Sequence, residues 1–314
     1  MWCKVPVNKN ATDKTRKLLE YLVNNCGKKI ITGVHTQTIP MEEREYIREV
    51  TGHYPKLVEF EMLSYSVNIN YDDASYECLK EVEENRGTID VGVELAAKED
   101  IIPMVCFHWF SPLYGRDKSF YSVNTPFDPN MVLVEGSEEE KAFYRDLDVI
   151  SEELYKFKRN DIPILFRPLH ETEGTWFWWG SKGGETARKL YIKLFNYLVN
   201  VKKLDNMLWV WSTPAKEAYP GDDYVDIVGW DIYLKEKEKT DYKSQYETLI
   251  NNTTRKKLCA LSEVGYNPDI ELLEKSHVPW SFYMTWSKEF SLDGIYNTKE
   301  ELKKMYESSH SIKL

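Results

Sequence analysis

Long apolar runs are missing from this chain of 314 residues. No stretch of about eighteen apolar residues occurs, so no membrane-spanning helix is encoded. Positive charge is also short: 41 Lys and Arg face 51 Asp and Glu, a formal net charge of −10. An acidic surface is repelled by phosphate backbones and by anionic lipid headgroups, which argues against nucleic acid and membranes as partners. The opening MWCKVPVNKN has no apolar segment, so no signal peptide is read there. The five cysteines show neither a CxxC pair nor a metal-ligand spacing. Cys106 and Cys259 fall in apolar runs and read as buried thiols. Cys3 and Cys26 are either two free thiols or one disulfide. Repeats, low-complexity tracts and linker-like stretches are absent, and residues 1–314 read as one domain.

Aromatic residues, by contrast, are plentiful: 21 Tyr, 10 Trp and 12 Phe. Many of them sit in eight short apolar runs. These are KIITGVH (29–35), KLVEFEML (56–63), IIPMVCFHW (101–109), IPILFRPLH (162–170), MLWVWSTP (207–214), VDIVGWDIY (225–233), KLCALSEVG (257–265) and VPWSFYMTW (278–286). The runs are nearly continuous rather than strictly alternating, as strands buried on both faces read. Segments of helical pattern separate them. ATDKTRKLLEYLVNNCG has a Thr/Asp start and a Gly stop, and SEEEKAFYRDLDVISEELYKFK has an acidic first turn. GETARKLYIKLFNYLVNVKK, YKSQYETLINNT, NPDIELLEKS and NTKEELKKMYESS complete the set. Eight buried strands alternating with helices predict one (β/α)₈ barrel. The alternative, an open doubly wound sheet, normally carries a Gly-rich GxGxxG turn, and none is present. The 27-residue segment 111–137, rich in Tyr, Asn and Pro, is long for a loop in a compact domain and is expected to border the site.

In a barrel, catalytic side chains stand where strands end at the C-terminal face. The polar residues closing the eight runs are His35, Glu61, His108, Arg167, His170, Glu171, Ser212, Asp231, Tyr233 and Glu263, with Trp109 and Trp286 beside them. Singly, most of these have a structural reading: a cap, an ion pair, core packing, or for His35 a buried structural histidine. Their coincidence at one end of different runs points to a site. Glu171 ends the fourth run and Glu263 the seventh, 92 residues apart, on strands that face each other across the barrel mouth. Two facing carboxylates are what glycoside hydrolysis needs, one as proton donor and one as nucleophile or base. Tryptophans supply flat apolar platforms for the C–H face of a sugar ring, and Trp109, Trp176, Trp178, Trp179 and Trp286 lie at or just after strand ends.

FRPLHETEGTWFWWG (166–180) and LSEVGY (261–266), supported by WVWSTP (209–214) and YPGDDYVDIVGWDIY (219–233), resemble glycoside hydrolase family 26, the β-mannanase family of clan A. The resemblance covers residues 101–290 well. It is looser before that, resting on TGVHTQ and the strand near Glu61. It implies a retaining mechanism with Glu171 as general acid/base and Glu263 as nucleophile, the two carboxyls roughly 5–5.5 Å apart. It also implies that Tyr233 hydrogen-bonds Glu263, that Arg167 assists as a nearby cation and that His170 orients the site, all three also contacting substrate. His108 and Trp286 would then line the subsite at the cleavage point, Trp176 would wall its leaving-group side, and Trp109 would contact substrate. No metal or organic cofactor is implied. The partner would be a polysaccharide, attacked by a monomer belonging to a secreted or cell-surface, modular enzyme. Thr172 and Glu173 depart from the Met-Asn pair often found after the acid, and Glu173 is expected to face solvent. Mixed-linkage β-glucanase, β-1,3-xylanase and a non-catalytic carbohydrate-binding barrel are the alternatives.

Overall fold

A computed structural model describes residues 2–314. Eight parallel strands form its centre: β1 (Gly33–Thr36), β2 (Leu57–Glu61), β3 (Ile102–Cys106), β4 (Ile164–Arg167), β5 (Met207–Ser212), β6 (Ile227–Ile232), β7 (Leu258–Val264) and β8 (Trp280–Thr285). Each pairs with the next in sequence, and the pairing of Val34 with Thr285 closes β8 onto β1. The predicted (β/α)₈ barrel is therefore the fold. All six helices read from the sequence are present. Four further ones are present: Glu42–Thr51, Tyr76–Asn85 and Thr88–Lys98 lie in the stretch where the sequence pattern is weakest, and the short Glu289–Leu292 follows β8. Gly87, at φ 84°, separates Tyr76–Asn85 from Thr88–Lys98, a conformation that costs glycine little.

The helix Glu138–Arg159 shows how local chemistry sets an element. The Ser137 hydroxyl accepts the backbone N–H of Glu140 at 3.0 Å. Three glutamates fill the first turn, and Lys156, Lys158 and Arg159 fill the last. Each charge opposes the partial charge of its helix end.

Period-two alternation along the strands sorts the barrel interior into layers. Near the N-terminal end the inner layers are apolar: Leu57, Ile102, Met104, Leu165, Leu208, Val210, Ile227, Leu258, Ala260, Phe282 and Met284 form one buried cluster. Leu19, Leu22 and Val23 of the helix Asp13–Asn25 join this cluster and cap the barrel floor. Two residues further along the same inner faces come Glu61, Cys106, Arg167, Ser212, Asp231 and Ser262, a polar layer at the barrel mouth. Only Glu59 places a charge one layer deeper. A larger cluster fills the space between barrel and helices, and most of the tryptophans belong to it.

An irregularity in this lattice serves the site. Between β6 and β7 the register runs from Gly229 opposite Ala260 to Asp231 opposite Glu263. One extra residue is therefore accommodated in β7, a bulge that re-aims the side chains after it. Both Ser262 and Glu263 reach the polar layer in consequence. Gly229 makes the room: a Cβ there would meet the Ser262 Oγ at 2.3 Å. Gly229→Ala is expected to destabilise the fold by about 1–3 kcal/mol through overpacking, measured as a lower denaturant midpoint. A midpoint equal to that of the native chain would contradict this account.

Candidate active site

The chain leaving β4 carries the first carboxylate on an unusual turn. Leu169 (φ 50°) and Glu171 (φ 55°) both adopt the left-handed conformation, which is uncommon for residues other than glycine and clusters at functional sites. The Glu171 N–H donates to the Ser212 carbonyl at 2.9 Å, and the Gly174 N–H donates back to the Glu171 carbonyl at 3.2 Å. The turn is thus clamped to β5. The indole N–H of Trp176 donates to Glu171 Oε2 at 2.7 Å, and Trp176 is 44% exposed. Burial, reinforced by the charge of Glu263, pushes the Glu171 carboxyl well above the usual carboxylate range.

The next two tryptophans do something else. Trp178 and Trp179 are both fully buried. Their indole N–H groups donate to the carbonyls of Trp109 and His170, each at 2.7 Å. Both hold the loop down, and neither lines a cleft. The 111–137 segment is stitched to the same loop, as its length suggested. Ser122 donates from its N–H to the Trp176 carbonyl and from its hydroxyl to the Thr175 carbonyl, each at 2.7 Å. The Trp178 N–H donates to the Phe120 carbonyl at 3.0 Å.

The second carboxylate, Glu263, is held from two sides. Arg167 Nη2 donates to its Oε2 at 2.8 Å, and the Tyr233 hydroxyl donates to its Oε1. Arg167 also grips Glu59 through Nε and Nη2 at 2.8 and 3.0 Å, and Asp231 through Nη1 at 2.9 Å. One buried guanidinium therefore serves three carboxyls. Asp231 takes two more donors, the hydroxyls of Ser212 at 2.6 Å and Ser262 at 2.9 Å. Burial pushes Glu263 upward, while Arg167 and the Tyr233 hydrogen bond pull it back. It consequently titrates below Glu171, and the pair splits into one proton holder and one proton giver. Removing the phenol should let Glu263 rise further. Tyr233→Phe is expected to move the acid limb of kcat/KM up by roughly half to one pH unit, the worth of one hydrogen bond. A limb that stays put or moves to lower pH would show that Tyr233 does not support the ionised form.

The histidines form a third group. His108 Nδ1 lies 2.7 Å from Glu61 Oε2, and its Nε2 lies 3.3 Å from His170 Nε2. His35 stacks on Trp286 with ring centroids 3.8 Å apart. His35, Glu59 and Cys106, and again Glu61, Cys106 and His108, meet at metal-ligand spacing. Their atoms already satisfy one another, however. The Cys106 thiol donates to Glu61 Oε2 at 3.1 Å, and burial pushes that thiol far above its ordinary range. It is a protonated donor to Glu61.

Three sequence expectations change, and one left open is decided. Trp109 does not face substrate: it is 1% exposed, donates its N–H to Asp146 at 2.8 Å, and packs against Trp178 and Phe143. Arg167 is completely buried beneath the carboxylates and acts by holding them, so it cannot contact a ligand. His170 is also buried behind His108, packed against Phe177 and Trp179. Cys3 and Cys26 are free thiols. His108, Trp176, Tyr233, Trp286 and Glu171 keep accessible surface at the barrel mouth; Glu173 keeps surface too, but its surroundings push its carboxyl up to about 7, so it does not simply face bulk solvent. Glu59 and Ser262 were not singled out, because neither closes its run: Glu59 lies one layer below the strand end, and Ser262 reaches the site only through the bulge in β7.

Comparison with known proteins adds an independent line. The family description "Glycosyl hydrolase family 26" matches residues 7–314. A mannan endo-1,4-β-mannosidase of Thermothelomyces thermophilus is 34% identical over 98% of the chain, which spans 62% of that relative's length. A Podospora anserina β-(1,4)-mannanase structure superposes with a TM-score of 0.88 at 30% identity, covering 99% of this chain and 68% of that one. A β-mannanase from a symbiotic protist of the termite Reticulitermes speratus, complexed with a gluco-manno-oligosaccharide, gives a TM-score of 0.85 at 31% identity, over 99% and 97% of the two chains.

Proposed function

The chain belongs to glycosyl hydrolase family 26, and from that premise we propose that it is a retaining endo-β-1,4-mannanase. The observation that carries this reading is the division of labour between two carboxyls at one barrel mouth. Glu171 is half-buried beside an exposed indole and holds its proton. Glu263 is kept available by Arg167 and Tyr233. The names of its relatives, mannan endo-1,4-β-mannosidase and β-mannanase, supply the substrate class.

The mechanism that goes with this reading uses both carboxyls. Glu171 passes its proton to the glycosidic oxygen as Glu263 attacks the anomeric carbon, and the C–O bond to the leaving sugar breaks. Glu263 is then esterified to the sugar and Glu171 is left as a carboxylate. That carboxylate takes a proton from water, whose oxygen attacks the same carbon and releases Glu263. Two inversions retain the anomeric configuration. Trp286 floors the subsite holding the attacked sugar, with His108 beside it, and Trp176 walls the leaving-group side. The test is reducing-sugar release from mannan, lichenan and β-1,3-xylan in parallel, with products sized. Mannan cleaved into a ladder of oligosaccharides is expected. Release from lichenan or xylan alone would transfer the chain to a glucanase or xylanase activity, and release from none would overturn the reading.

A polymeric substrate does not cross membranes, so the enzyme would work outside the cell or at its surface, as a monomeric catalytic module. Activity in the culture medium and elution at the mass of one chain are the expected results.

A further inference from the structure

We infer that His35 and Glu61 are positioning residues that together set the tilt of the Trp286 platform and the direction of His108, so that one buried carboxylate governs two walls of the cleavage subsite. The inference rests on Trp286 and His108 lining that subsite.

An aromatic ring used as a sugar platform offers two faces. One face of Trp286 is taken by His35, stacked at 3.8 Å with an interplanar angle of 16°. The open face must then be the other, and its tilt is that of the imidazole beneath it. His35 is fully buried and is itself clamped. Its Nδ1 lies 3.2 Å from the hydroxyl of Ser287, the residue that follows Trp286 on the chain. Its Nε2 faces Cys106 Sγ at 3.5 Å and Glu61 Oε2 at 3.7 Å. Burial keeps the imidazole neutral, with a pKa near 4. The acceptor-only carboxylate fixes the tautomer: Nε2 carries the hydrogen toward Glu61, and Nδ1 accepts from Ser287.

Glu61 is the point these contacts share. Its Oε1 accepts the backbone N–H groups of Met62 at 2.9 Å and His108 at 2.8 Å. Its Oε2 meets His108 Nδ1 at 2.7 Å, the Cys106 thiol at 3.1 Å and the edge of His35. Burial alone would push such a carboxyl up, but His108 and His35 pull it well below the usual range. It is therefore a permanent acceptor. Neither Glu61 nor His35 exposes surface to a ligand. Their effect on the reaction passes through Trp286 and His108, whose placement must hold to within a fraction of an ångström as the sugar ring distorts.

The test uses the full chain with His35→Ala, His35→Phe and Glu61→Gln, alone and with His35→Ala and Glu61→Gln combined. Turnover is divided by the active sites counted through covalent trapping with a 2-fluoro-glycoside, so misfolded protein does not enter. His35→Ala should lower kcat per site about 10- to 100-fold, and His35→Phe should recover to within about threefold because a flat ring still stacks. The double variant should lose less than the product of the single losses, the mark of a shared route. A second readout needs no activity: the indole N–H resonance of Trp286, identified by its absence in Trp286→Phe. That resonance should be single in the native chain and in His35→Phe, and broadened or doubled in His35→Ala. A per-site kcat within twofold of native in His35→Ala, no recovery in His35→Phe, or an unchanged Trp286 resonance would each overturn the inference. Failure of the function reading would show instead in the native enzyme, as absence of mannan cleavage with the resonance behaviour intact.

Discussion

Glu263→Ala is expected to lower kcat on mannan by on the order of 10⁴- to 10⁶-fold while leaving the affinity for a soluble manno-oligosaccharide within a few-fold of native. The reason lies in what the variant removes and what it leaves. It removes the carboxylate that Arg167 and Tyr233 aim at the barrel mouth, so no covalent intermediate forms. It leaves Trp286, Trp176 and His108, which supply the binding surface. Arg167 keeps Glu59 and Asp231 as partners, so the fold should tolerate the loss. A chemical rescue sharpens the test. Azide, given with an activated aryl glycoside, can enter the space vacated by the carboxylate and attack from the same side. The product would then be a glycosyl azide of inverted configuration. The same treatment of Glu171→Ala should give retained configuration, because there the nucleophile is intact and azide replaces water. If Glu263→Ala keeps more than a few per cent of native activity, the assignment fails. An azide product of retained configuration from that variant would place the nucleophile elsewhere.

Arg167→Met should cost about 3–5 kcal/mol of stability, the penalty for stranding buried charge. Methionine nearly fills the space, so little of the loss is cavity formation. What is lost is the one cation among Glu59, Asp231 and Glu263, and four hydrogen bonds with it. Burial already lifts Glu59 to about 7 even with Arg167 present, and it lifts Asp231 and Glu263 in the same direction. Without the guanidinium all three rise further. A carboxyl whose folded pKa exceeds its unfolded value binds more protons when folded, so it favours the folded state at low pH and loses that advantage as pH rises. The stability deficit of Arg167→Met should therefore be smallest near about pH 4 and grow toward neutrality. Denaturant titrations at several pH values would measure it. A deficit under about 1 kcal/mol, or one that shrinks toward neutral pH, would mean the arginine is not the hub described. Activity at neutral pH should fall too, because Glu263 would spend more of its time protonated.

The two variants fail in different ways, and the difference follows the site's layering. Glu263 meets the ligand, so its loss touches chemistry first. Arg167 lies beneath it, so its loss touches folding first and chemistry through Glu263.

Much of this was open to reading from the chain alone. Eight near-continuous apolar runs separated by amphipathic segments determine a parallel sheet covered by helices on both faces, and the missing GxGxxG turn favours the closed barrel over the open doubly wound sheet. The positions of Glu171 and Glu263 at the ends of the fourth and seventh runs follow from the same logic, since strand order fixes which ends face each other. Trp109 and Trp178 mark the limit. In sequence each is a tryptophan beside a strand end, no different from Trp286 or Trp176. Only packing between the 111–137 segment and the acid loop turns Trp109 and Trp178 inward and leaves Trp176 in solvent. Likewise Arg167 reads as a cation near a site, and only closure of the barrel sets Glu59, Asp231 and Glu263 around it. His35 reads as a lone structural histidine until the pairing of β8 with β1 lays Trp286 over it. Local pattern determines what forms a strand or a helix, because backbone and burial preferences act over a few residues. Which side chain faces ligand, and which one merely holds another in place, is decided by contacts between residues tens to hundreds of positions apart, and those exist only once the barrel has closed.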